Sequence, residues 1–220
     1  MPARRKVDWI YPLALLPALP APAGSLATLR KRAKACHACP LWQHATQTVF
    51  GEGPVSAEMM VIGEQPGDQE DQQGEPFTGP AGNLLDRALA EASLDRGELY
   101  VTNAVKHFKF EPRGKRRLHQ RATAREQAIC RQWLAAEVRE VHPRRILALG
   151  AMASKAVFGG QFRLTARHGQ WMALPGGVMA MATWHPSAVL RTPDAGSREQ
   201  RYRELVADLK RFASDKTGDD

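Results

Sequence analysis

Four short apolar runs, separated by longer amphipathic stretches, restrict this chain to an α/β fold. The runs are residues 59–63, 99–103, 146–150 and 178–183. Each is short enough for a strand, and too continuously apolar for one with a wetted face, as in buried parallel sheets. Helical spacing fills the intervals. Leu84, Leu85, Ala88, Leu89 and Ala92 share one face of residues 80–93, with Pro80 at the start. Thr123 and Glu126 form a capping-box pattern at the head of residues 123–141. Further helices are expected over residues 25–35, 151–158 and 197–213. The alternation predicts a three-layer α/β/α sandwich around a central, mostly parallel four-stranded sheet. One domain over residues 25–220 suits this length, preceded by a Pro/Ala-rich arm over residues 1–24. That arm superficially imitates an export signal, but Pro12, Pro17 and Pro20 interrupt it, and no apolar stretch is long enough to span a bilayer.

In such sheets ligands bind beyond the carboxyl ends of the strands. Gly63-Glu64-Gln65-Pro66-Gly67-Asp68 follows the first strand, and Glu70 and Asp71 extend the acidic cluster. The plainer alternative is a solvated acidic loop. Asn103 ends the second strand and carries both a donor and an acceptor, as reading a base edge requires, although an Asn there is more often a turn former. His185, held extended by Pro186, follows the fourth. Between the second strand and the next helix lies a loop with Arg113, Lys115, Arg116 and Arg117, ending at His119. It reads either as a phosphate clamp or as a solvated basic loop.

Lys and Arg number 31 against 23 Asp and Glu, a net charge of +8 that fits a polyanion partner or a generally basic surface equally well. Three cysteines, Cys36, Cys39 and Cys130, argue against a secreted disulfide framework. The Cys36-x-x-Cys39 pair points instead to metal or redox chemistry in a reducing compartment, hence a cytoplasmic location.

Gly63-Glu64-Gln65-Pro66-Gly67, residues 76–82, residues 102–106 and His185-Pro186-Ser187, in that order, together resemble the uracil-DNA glycosylase superfamily and most resemble its iron–sulfur, family 4 branch. Residues 63–71, 103–110 and 115–119 look specifically like the UdgX group, in which a histidine captures the DNA covalently; Leu118 stands where that group commonly has isoleucine.

The resemblance implies that Phe77 stacks on uracil flipped out of the strand, Asn103 reads its Watson–Crick edge with Gln65 shaping the pocket, and His185 donates to O2. Glu64 would support the electron-poor C1′ and Asp68 the loop around it, while His119 attacks C1′ and stays attached. Arg113, Lys115, Arg116 and Arg117 would grip DNA. The resemblance also implies a [4Fe–4S] cluster on Cys36, Cys39, Cys130 and His107, the last standing where the branch has a fourth cysteine. A structural zinc fits the same donor set. The expected partner is uracil-containing DNA, preferably single-stranded, bound by a monomer with no membrane involved. A turnover glycosylase releasing abasic sites, a non-catalytic metal-containing nucleic-acid module, and a redox protein are the competing readings.

Overall fold

The computed structural model describes residues 11–214. A five-stranded sheet of order β2-β1-β5-β7-β6 forms the centre. Its parallel strands are β1 (Met59–Gly63), β2 (Leu99–Asn103), β5 (Arg145–Leu149) and β7 (Val178–Thr183), and β6 (Met172–Leu174) runs antiparallel at one edge. The four expected strands are present, and the sheet has one more. β6 escapes a sequence reading because three partly exposed residues are too few to establish an alternation.

Alternate residues of each strand face opposite layers. Val61, Val101, Leu147 and Met181 pack with α3 (Pro80–Glu91) and α8 (Ala195–Ala213). Met60, Ile62, Tyr100, Ile146, Ala148 and Ala180 pack with α4 (Ala124–Val141) and α5 (Gly150–Phe158) on the other face. A third cluster joins α1 (Leu26–Ala33), the cysteine segment and α4 around Leu29, Phe50 and Trp133. The capping box on α4 forms as expected: Thr123 Oγ1 accepts the Glu126 N–H at 3.3 Å, and Glu126 accepts the Thr123 N–H at 2.6 Å.

Three short helices were not expected: α2 (Asp68–Gln73), α6 (Leu164–Arg167) and α7 (Pro186–Leu190). The basic loop is instead a β-hairpin of β3 (Phe110–Arg113) and β4 (Arg116–His119), turning at Gly114 with φ +59°. Pro112 and four cations conceal the strand pattern there.

Of the arm expected over residues 1–24, the first ten lie outside the described residues. The remainder lies against the domain. Leu13 is buried, the Ala14 N–H donates to the Val157 carbonyl at 2.9 Å, and Arg131 and Arg139 bond the Leu16 and Pro22 carbonyls. Among the described residues no helix is long and apolar enough to cross a membrane.

Candidate active site

Register brings the first two motifs together. Gly63 pairs with Asn103 at the carboxyl ends of β1 and β2. A side chain at position 63 would collide with Asn103 Oδ1 and with the Phe77 ring, so both groups converge on this glycine. Phe77 is held at φ +58°, a left-handed conformation that a bulky residue adopts only when its surroundings enforce it. Those surroundings are visible. Arg96 donates to the Pro76 carbonyl at 2.8 Å, and Gly82 lies flush against the Phe77 carbonyl. The buried Glu70 carboxylate accepts the N–H groups of Gly67 (3.0 Å) and Gly79 (2.9 Å), closing the two loops on each other.

The His185 ring stands 5.8 Å from that of Phe77. Its Nδ1 accepts the Ser187 N–H at 3.1 Å. An amide N–H can only donate, so Nδ1 bears a lone pair and the neutral ring carries its proton on Nε2. Desolvation, reinforced by Arg191 and His119, lowers the His185 pKa to about 4. His185 is therefore a neutral Nε2–H donor at physiological pH, fitted to an oxygen that gains negative charge.

His119 ends β4 opposite Phe110, keeps one side open to solvent, and has its ring centre 6.0 Å from that of Phe108. Partial desolvation, first, and Arg191 lower its pKa, while Glu64 acts in the opposite sense. The neutral form of the ring is thus favoured at neutral pH. Glu64 is itself within 3.6 Å of Arg121.

Two residues have different places from those expected. Gln65 was expected to shape the pocket, but its amide is turned to backbone: Nε2 donates to the Gln120 carbonyl and Oε1 accepts the Ala122 N–H, each at 2.8 Å. Arg117 was expected on phosphate. It pairs instead with Asp68 (2.5 Å) and the fully buried Asp71 (2.6 Å), and lies over the Phe108 and Phe110 rings. Both residues fasten the hairpin to the segment after β1, where Asp68 is one of the two carboxylates that hold Arg117. Arg113, Lys115 and Arg116 remain exposed.

Sequence reasoning missed Arg121 and Arg191. Arg191 caps α7, one turn beyond His185-Pro186-Ser187, and its charge acts on both histidines. That one-turn spacing was the available signal.

Cys36, Cys39 and Cys130 share the third core cluster as free thiols. Lys106 N–H donates to Cys130 Sγ and Trp133 Nε1–H to Cys36 Sγ, each at 3.2 Å. Burial raises the pKa of Cys39 and pushes Cys130 up to about 12, so these sulfurs stay protonated without a cation. Among the described residues no three His, Cys, Asp or Glu side chains stand close enough to form a ready metal cage. His107 is turned to Thr48, with Nε2 2.9 Å from Oγ1. The Thr48 hydroxyl spends its hydrogen on the Ala33 carbonyl, so His107 Nε2 must be the donor, leaving the lone pair on Nδ1. Burial holds the ring neutral, with a pKa near 4. Three thiols in one cluster, two of them accepting N–H groups, and a neutral imidazole with its lone pair on Nδ1 fit a metal centre in donor chemistry, though not as a preformed cage.

Residues 50–210 match the family described as the uracil DNA glycosylase superfamily. A type-4 uracil-DNA glycosylase of Thermotoga maritima is 37% identical over 177 residues, covering 80% of this chain and 86% of that protein. One from Pyrobaculum aerophilum is 35% identical over 176 residues, covering 76% and 86%. A type-5 uracil-DNA glycosylase of the same organism is 29% identical over 191 residues, covering 79% of each. With the ordered motifs gathered at the carboxyl ends of a parallel sheet, the chain belongs to the uracil-DNA glycosylase superfamily.

Proposed function

We propose that this protein recognises uracil in single-stranded DNA, breaks its N-glycosidic bond, and retains the deoxyribose on His119. The observation that carries the reading is geometric: Gln65 and the Glu64–Arg121 pair tie the exposed His119 end of the hairpin to the loop after β1.

Uracil flipped into the pocket stacks on Phe77 and pairs its edge with the Asn103 carboxamide. As the C1′–N1 bond breaks, its electron pair leaves with uracil, and the charge reaching O2 meets the Nε2–H of His185. C1′ becomes electron-poor. The Glu64 carboxylate supports that charge, and the lone pair of His119 forms the new bond to C1′. The imidazole then loses its ring proton to Glu64 or water, and uracil N1 takes one up. A nucleophile fixed by the hairpin outcompetes water through effective concentration. Arg113, Lys115 and Arg116 hold flanking phosphates. Binding by a monomer suffices, since every group named lies in one chain.

Cys36, Cys39 and Cys130, with Nδ1 of His107, are the residues that would hold a [4Fe–4S] cluster. Its contribution would be structural, tying α1, the segment after β2 and α4 together. Iron analysis and a visible band near ~400 nm identify it. Stoichiometric zinc in a colourless protein identifies a structural zinc centre instead.

The function is tested on a denaturing gel with uracil and thymine single-stranded oligonucleotides. A band of retarded mobility is expected with uracil only, and His119→Ala abolishes it. Uracil release without a shifted band marks a turnover glycosylase and overturns covalent capture. An intact uracil oligonucleotide after long incubation overturns the reading entirely.

A further inference from the structure

We propose that Lys106, held by Glu137, is a positioning residue for base selection: its buried ammonium fixes the backbone that carries Asn103. The inference rests on the reading of Asn103 as the uracil-reading group.

Lys106 and Glu137 have completely buried side chains paired at 2.5 Å. Burying such a pair gains little stability over apolar side chains of similar size, so its worth has to be sought in what it holds in place. All three ammonium donors are used. One meets Glu137, one the Thr102 hydroxyl at 2.6 Å, and one the Asn103 carbonyl at 2.7 Å. Thr102 and Asn103 are the last two residues of β2. Glu137 braces the same strand from α4, accepting from the Thr102 and Tyr100 hydroxyls and from the Gly51 N–H. The Lys106 N–H bonds Cys130 Sγ, which fixes the lysine from the thiol side.

The Asn103 carboxamide, by contrast, makes no hydrogen bond among the described residues, and it touches the bare Gly63 backbone position. Packing alone, with no hydrogen bond, holds the side chain. Its pose follows from the backbone, and the ammonium holds that backbone. Uracil offers N3–H and O4 to a carboxamide, whereas cytosine offers the reverse pattern, so a loosened Asn103 loses the distinction.

The test is Lys106→Met with Glu137→Gln. The pair removes both charges together and keeps an acceptor for Gly51 and Tyr100. Single-turnover cleavage of a uracil oligonucleotide is measured against a competing cytosine oligonucleotide of the same sequence, which cancels the shared phosphate contacts. Preference for uracil is expected to fall about tenfold, the equivalent of one hydrogen bond. The half-saturating concentration rises while the saturating rate stays within about threefold. Undiminished preference, whatever happens to thermal stability, overturns the inference. Should the double variant fail to fold, Thr102→Val removes one ammonium acceptor without stranding a charge, and the same readout decides. Wild-type protein inert toward uracil DNA overturns the parent reading instead.

Discussion

Gln65 spans the chain on either side of Arg121: its amide donates to the Gln120 carbonyl and accepts the Ala122 N–H, both at 2.8 Å. The position of His119 relative to Glu64 therefore depends on a side chain that hydrogen-bonds to neither of them. Gln65→Ala is expected to slow covalent trapping by roughly 100-fold, the scale of a small misplacement of reacting groups. Thermal unfolding should record a loss of about 1–2 kcal/mol from the two stranded backbone groups. Single-turnover trapping at the wild-type rate would contradict this role.

Arg117 serves the same joint through charge. Removing it as Arg117→Met leaves the buried Asp71 without its cation, although the Thr46 N–H still bonds that carboxylate. Because Arg117 is partly exposed, the expected loss is about 1–3 kcal/mol, below that of a fully buried pair. The dependence of DNA affinity on salt should stay as in the wild type, whereas Lys115→Ala or Arg116→Ala reduces its slope by about one. A reduced slope for Arg117→Met would return that residue to the phosphate contacts.

Acid should act through the two histidines. The pKa of His185 lies near 4 in the fold, against an ordinary 6.5, so the fold favours the neutral ring. That contribution to stability is complete above pH 6.5 and is lost as pH falls toward 4. Melting temperatures across this interval should decline, and less steeply in His185→Gln. His119 also titrates below its ordinary value, so trapping should be flat from neutrality upward and fall on acidification as its lone pair is protonated. A trapping rate that rises with acid would exclude a neutral imidazole nucleophile.

Gly63→Ala places a methyl group against Asn103 Oδ1 and the Phe77 ring. The expected effect is overpacking of about 1–3 kcal/mol, with uracil excluded from the pocket before the fold is lost. A folded Gly63→Ala protein with full activity on uracil oligonucleotides would show that the pocket lies elsewhere.

The hairpin marks the limit of sequence reading most clearly. Arg113 to His119 carries its cations and histidine in plain sight, so the chemical character of the segment was legible. That Arg117 turns inward while Arg116 stays exposed follows from strand alternation in β4, which Pro112 and the run of charges hide. Gln65 is similar. Its place beside Glu64 marked it as a site residue, but the backbone groups it satisfies are 55 and 57 positions away.

By itself the sequence determined the alternating α/β architecture and the strand ends beside which Glu64, Asn103 and His185 stand. Strand and helix periods are local properties, and the motifs sit directly beside the strands that present them. Tertiary structure alone decided which polar groups are free for a ligand and which are spent inside the protein. Lys106 meeting Glu137, Arg117 meeting Asp71, and His107 meeting Thr48 are pairings across distant segments. Hydrogen-bond capacity is fixed by residue type, but which partner consumes it is fixed only when the layers pack. His119 shows both sides: its identity was legible in the chain, and its charge state and neighbours were set by the fold.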